Sequence, residues 1–145
     1  MTNHPLYPKL LVFLQFALIG LMLLFSQGVS FIGIVLFVVG AIVGLFALNR
    51  NQLGNFNIQP KMKENAQLIT TGIYAYIRHP MYLSVLLMML AIFIGSPSMI
   101  EAIFLSLLTI VLVLKAKKEE SLWSEKSQEY IDYKKRTKLF IPFIL

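Results

Sequence analysis

VSFIGIVLFVVGAIVGLFAL, residues 29–48, contains no charged side chain and a single hydroxyl. A helix needs about 20 residues to cross about 30 Å of hydrocarbon. This stretch supplies that length with apolar residues all round, leaving no polar face for water. Three more runs read the same way: 10–25, broken only by Gln15; 81–95; and 99–114, with Glu101 near its start. The last two are short, so flanking residues or local thinning of the bilayer must make up the length. Composition agrees, since 57% of the 145 residues are hydrophobic and 14% charged, where a soluble domain carries about 25% charged residues. A soluble enzyme of this size lacks the surface to hide that excess.

All 13 Lys and Arg residues fall in the N-terminal stub, in 49–80, or after Leu114. The connections Ser26-Gln27-Gly28 and Gly95-Ser96-Pro97-Ser98 are uncharged turn-formers. By the positive-inside rule the three basic regions share the cytoplasmic side. The expected fold is therefore an all-α membrane protein of four transmembrane helices arranged as two hairpins, both termini cytoplasmic, in an inner membrane of bacterial or archaeal type. A cleaved signal peptide fits poorly, because the basic stub is weak and the cleavage site poor. The formal charge of +6 is first a topology signal and a contact to anionic lipid, so the bilayer is the expected partner and nucleic acid is not. With no cysteine, thiolate nucleophiles, disulfides and sulfur-ligated metals are excluded, and no metal site is expected. Gly33, Gly40 and Gly44 in the second span are suited to close helix packing.

The polar chemistry must sit in the loop 49–80 and the tail 115–145, both longer than a four-span protein needs. Each carries apolar and aromatic residues, among them Tyr74 and Tyr76 in the loop and Trp123, Tyr130 and Tyr133 in the tail, so the two are expected to fold together. Residues 115–138 lack proline and are rich in helix formers, which predicts one helix with Glu119, Trp123 and Tyr130 on a common face. The apolar ending from Leu139 is expected to dip back toward lipid. The sharpest motif is Gly72-Ile73-Tyr74-Ala75-Tyr76-Ile77-Arg78-His79-Pro80-Met81-Tyr82. Pro80 suits the first turn of a helix, and such a terminus offers unpaired N–H groups to an anion.

Leu68-Ile69-Thr70-Thr71-Gly72-Ile73-Tyr74 followed by Arg78-His79-Pro80-Met81-Tyr82 resembles the signature of integral-membrane methyltransferases, which include isoprenylcysteine carboxyl methyltransferase and the phospholipid N-methyltransferases. Glu119-Glu120, Tyr130, Tyr133, Lys135-Arg136 and Pro142-Phe143-Ile144 resemble the C-terminal motif of the same family, and the likeness runs from about Gln59 to Ile144. It implies S-adenosylmethionine in a cytoplasmic pocket made by the loop, the start of the third span and the tail. Carried over by position, the cofactor contacts are Gln59, the backbone of Ala66, Gln67, Leu68 and Ile69, then Tyr74, His79, Pro80, Met81, Tyr82 and Glu119. Tyrosine faces suit adenine and a sulfonium, backbone amides suit a carboxylate, and a glutamate suits ribose hydroxyls or an ammonium. Which end of the cofactor faces which residue is left open.

The methyl acceptor is expected to be lipid-like or prenylated, entering laterally between the spans. Methyl transfer is an in-line displacement, so holding acceptor and methyl in near-attack geometry is the main task. Glu120 is the candidate to take a proton from an amine acceptor, while Lys115 and Arg136 suit an anionic acceptor or phosphate headgroup. The sequence departs from the family at Ser84, where glycine is frequent, at Ser127-Gln128, where an aromatic is frequent, and at Lys115, where the prenylcysteine enzymes have arginine. An ammonium is a point charge and not a bidentate guanidinium. The alternative is a small transporter or scaffold without catalysis. Its best residue is Glu101, which near the outer surface is expected to snorkel.

Overall fold

The computed structural model describes residues 4–51 and 66–142. Among them the chain is helical: α1 Tyr7–Phe25, α2 Phe31–Arg50, α3 Pro80–Gly95, α4 Met99–Lys126 and α5 Gln128–Arg136, with a 3₁₀ turn at Gly72–Ala75. By length and composition α1, α2 and α4 can cross a membrane, whereas α3, at 16 residues, is shorter. The helices α2, α4 and α5 start on a serine cap, while α1 and α3 have no side-chain cap and carry proline in the first turn. Ser30 and Ser98 accept from the N–H of Gly33 and Glu101 at 3.0 and 3.1 Å, and Pro80 opens α3.

The helices pack crosswise to the chain order. The main pairings are α1 on α4 and α2 on α3, with a smaller contact between α3 and α4. The α1 seam runs Leu11, Gln15, Leu18 and Met22, all buried. This alternation of four- and three-residue steps keeps one stripe toward a neighbouring helix. Opposite it stand Leu108, Val111 and Leu112 of α4, with Met89 of α3 completing the core. The α2 seam is built from small residues, its buried members being Gly33, Gly40 and Ala47, while Phe31, Ile32 and Phe46 on the outward side are exposed apolar surface suited to hydrocarbon.

A Cβ added at Gly33 would stand 2.9 Å from the Ala91 carbonyl oxygen, and one at Gly44 would meet the Ser84 hydroxyl at 2.7 Å. Ser84 stands where the resemblance implies glycine, and its hydroxyl donates to the Gly40 carbonyl at 2.7 Å, which adds an interhelical bond. The close glycine packing read from the sequence is present. Gly33→Ala should push α2 off α3 and cost about 1–3 kcal/mol as an overpacked contact. Thermal unfolding in detergent checks this, and an unchanged midpoint would show that the Ala91 backbone yields freely.

The two uncharged turns meet at one end of the bundle, where the Gln27 N–H donates to the Ser96 hydroxyl at 3.0 Å. The 3₁₀ turn, the start of α3 and α5 gather at the other. Three expectations change here. The tail is not one helix, because Ser127 adopts an extended conformation (φ −141°, ψ 120°) and its side chain caps the Tyr130 N–H at 3.2 Å; the hydroxyl satisfies a new helix start and so ends the old one. Leu139 and Phe140 do not turn to lipid but bury against Ala116, with Tyr82, Leu86 and Val113 around them. Glu101 does not snorkel: it is fully buried, seven residues before Leu108 on the α4 seam, and neither carboxylate oxygen has a hydrogen-bond partner among the described residues.

Candidate active site

Backbone bonds tie the loop to the tail before any side chain is considered. Lys138 N–H donates to the Tyr76 carbonyl at 3.0 Å, Arg78 N–H to Lys138 at 2.8 Å and His79 N–H to Leu139 at 3.2 Å, a short parallel bridge centred on Ile77 and Lys138. Gly72 makes the turn into this segment possible. Its φ of +63° is left-handed, and a Cβ there would meet the Arg50 side chain at 2.6 Å.

Arg78 closes the junction. Its Nε donates to Glu120 Oε1 at 2.5 Å, and its Nη1 donates to the carbonyls of Thr137 at 2.7 Å and Lys134 at 3.1 Å. A guanidinium is well placed at the C-terminal end of α5, where carbonyls lack helical partners. Tyr133 adds a bond from its hydroxyl to the Tyr74 carbonyl at 2.6 Å, and Trp123 stacks on Tyr130 across the Ser127 break, centroids 5.8 Å apart.

On this frame His79 stands between two carboxylates, its Nε2 3.3 Å from Glu120 Oε1 and its Nδ1 3.6 Å from Glu119 Oε2. Its ring stacks on Tyr82 at 5.5 Å with 7° between planes, and Phe140 meets it edge-on at 6.3 Å. The Tyr82 hydroxyl donates to Glu119 Oε1. The Lys115 ammonium lies 5.1 Å from the Tyr82 ring centroid and donates to Gln15 Oε1. Tyr74 is near enough for its hydroxyl to feel the charge of Glu119, and Asn51 Nδ2 donates to that hydroxyl at 3.4 Å.

The two glutamates differ electrically. Both lie on the polar part of α4 beyond Leu114, outside the apolar run. Burial pushes the Glu120 carboxyl up, but the bonds from His79 and Arg78 outweigh this and hold it down to about 2. Burial pushes Glu119 up, against the opposing pull of His79, Tyr82 and Lys115. Burial also raises Tyr74 to about 12 and moves Tyr130 and Tyr133 upward.

Tyr74, His79, Tyr82, Lys115, Glu119 and Glu120 thus form one cluster. Pro80 and Met81 belong to the helix turn beside it. Ala66, Leu68 and Ile69 are half-buried and Gln67 exposed, in irregular chain leading to the 3₁₀ turn. Gln59 lies outside the described residues. Two of the residues expected to be catalytic, Arg136 and Glu120, have different surroundings. Arg136 is exposed on α5, 5.7 Å from the Tyr133 ring, away from the cluster. Glu120 is 1% exposed and occupied by Arg78 and His79, with Lys134 Nζ 3.5 Å from its other oxygen. A carboxylate so held is a weak proton acceptor, because taking a proton forfeits those pairs. Sequence reasoning missed Arg78 as the clamp and Gln15 as the partner of Lys115. The signal for Gln15 was its being the one polar side chain in the run 10–25.

The phospholipid methyltransferase family model matches residues 29–127. The chain belongs to the phospholipid methyltransferase family. The matched interval takes in α2, the Arg78-His79-Pro80-Met81-Tyr82 motif and Glu119-Glu120, and it ends at the Ser127 break. Both α1 and α5 fall outside it. No curated protein matches this phospholipid methyltransferase family member.

Proposed function

We propose that the protein transfers a methyl group from S-adenosylmethionine to a lipid-like acceptor at the cytoplasmic membrane face, with four spans and both termini inside. The observation that carries this is the convergence of Tyr74, His79, Tyr82 and Glu119 at one end of the bundle in a member of a methyltransferase family. The donor set suits the cofactor: two tyrosine rings for adenine or a sulfonium, a carboxylate for hydroxyls or an ammonium, and first-turn N–H groups of Met81 and Tyr82 for a carboxylate. When bound, S-adenosylmethionine supplies an activated methyl group. Glu119 and Tyr82 bind and orient, while Leu139 and Phe140 shield the His79 side from water. Lys115 sits with these cofactor residues, since its ammonium rests on Tyr82. Glu120 positions His79 and Arg78 and moves no proton. The apolar outer faces of the helices let a lipid chain remain in the bilayer while its polar end reaches the cluster.

The test is incubation of purified protein with methyl-labelled S-adenosylmethionine and phospholipid vesicles, followed by separation of the lipid phase. Label is expected in the lipid phase only with intact protein. Absence of label together with no calorimetric binding of S-adenosylhomocysteine would sink the enzyme reading and favour a non-catalytic transporter or scaffold.

A further inference from the structure

Gln15 is 6% exposed and sits between Leu11 and Leu18 on a seam that is otherwise apolar. A leucine there would continue the seam, and a buried amide without a partner is costly. Its partner is Lys115, 1% exposed, whose Nζ donates to Gln15 Oε1. Among the described residues no other hydrogen-bond acceptor reaches that ammonium. The nearby ring face is that of Tyr82 at 5.1 Å, and Tyr82 in turn donates to Glu119. An unbroken chain of contacts therefore leads from α1, through Lys115 on α4 and Tyr82 on α3, to the carboxylate of Glu119. The helix α1 lies outside the family match, and this pair is a polar link from it to the cluster.

We propose that Gln15 is a positioning residue for the cofactor site, its amide oxygen holding the Lys115 ammonium over the Tyr82 ring and thereby fixing the hydroxyl that Tyr82 donates to Glu119. This rests on the methyltransferase reading. Without the amide, the flexible lysine loses its hydrogen-bond anchor, the pull of the Glu119 carboxylate draws it off the ring face, and Tyr82 is freed to rotate away from Glu119. The rival role is purely structural, a polar pair that locks α1 to α4.

The experiment measures S-adenosylhomocysteine affinity by calorimetry, and thermal midpoint without ligand, for full-length Gln15→Leu, Lys115→Met, the double variant and Gln15→Glu. Gln15→Leu and Lys115→Met should each weaken affinity about tenfold, with the double variant no weaker than either, as expected of residues acting as one unit. Gln15→Glu keeps an acceptor atom at the same reach and should bind within about threefold of the parent. Parent-like affinity with a lowered midpoint in Gln15→Leu would reduce the pair to a helix lock, and additive losses would show two independent residues. Either overturns the inference. Should Gln15→Leu fail to fold, parent-like affinity in Lys115→Met would overturn it equally. Failure of the parent itself to bind would instead overturn the methyltransferase reading on which the inference stands.

Discussion

Exchanging Arg78 for methionine should cost about 3–5 kcal/mol of stability, the scale for breaking a buried ion pair and stranding its partner. The Arg78 side chain is 9% exposed and that of Glu120 1%. Methionine would fill much of the volume but leave Glu120 with His79 and the solvent-exposed Lys134, 3.5 Å away, and would take the guanidinium from the carbonyls of Lys134 and Thr137. Denaturation in detergent measures the loss. Trypsin offers a second readout, since Lys134, Lys135 and Arg136 are already exposed and a loosened α5 frees their helical backbone for cleavage. The pH dependence has a definite sign. Glu120 is held near 2 against an ordinary 4.5, so its contribution is complete above 4.5 and is lost as pH falls toward 2. The gap between parent and Arg78→Met should therefore narrow over that interval, because a protonated Glu120 no longer needs the guanidinium. A gap constant down to pH 2 would show that Arg78 acts through the α5 carbonyls alone.

The all-helical architecture was legible because charge-free runs admit few other solutions. The ends of α1, α2 and α3 fall within three residues of the expected runs, α2 being Phe31–Arg50 where 29–48 was expected, whereas α4 continues past the expected end at Leu114 to Lys126. Helix pairing was not legible. Short turns suggest that neighbours in sequence close on each other, whereas the glycines of α2 select α3, where backbone can approach backbone, and the Leu11 to Met22 stripe selects α4. The Ser127 break was hidden because helix propensity is a sum over a window, while the break is decided by one hydroxyl bonding one N–H. The cluster of Tyr74, His79, Tyr82 and Glu119 was legible as a motif. The clamp that assembles it was not, since Arg78 bonds to carbonyls of Lys134 and Thr137, and backbone acceptors leave no mark in residue identity. Gln15 and Lys115 stand 100 positions apart, and only the three-dimensional seam brings them together.

Glu119→Ala should weaken S-adenosylhomocysteine binding by about 1.5–3 kcal/mol, the range for a hydrogen bond to a charged group. Of the paired glutamates, Glu119 is the one with a free surface, its side chain 24% exposed against 1% for Glu120. Its Oε1 is oriented by the Tyr82 hydroxyl and its Oε2 lies 3.6 Å from His79. It is thus preorganised and still accessible, the condition under which a carboxylate spends least on reordering when a ligand arrives. Glu119→Gln keeps the shape and one acceptor while removing the charge, so its loss should be the smaller of the two. Arg136→Ala is the comparison, since that residue is exposed on α5 with its guanidinium over the Tyr133 ring; affinity should remain within about twofold of the parent. Calorimetry on the three variants separates two geometries. Loss at Glu119 with Arg136 silent places the ligand at the junction of α3 and α4, against the Tyr82 ring. The reverse pattern would move it to the outer face of α5, where neither Tyr82 nor His79 could reach it.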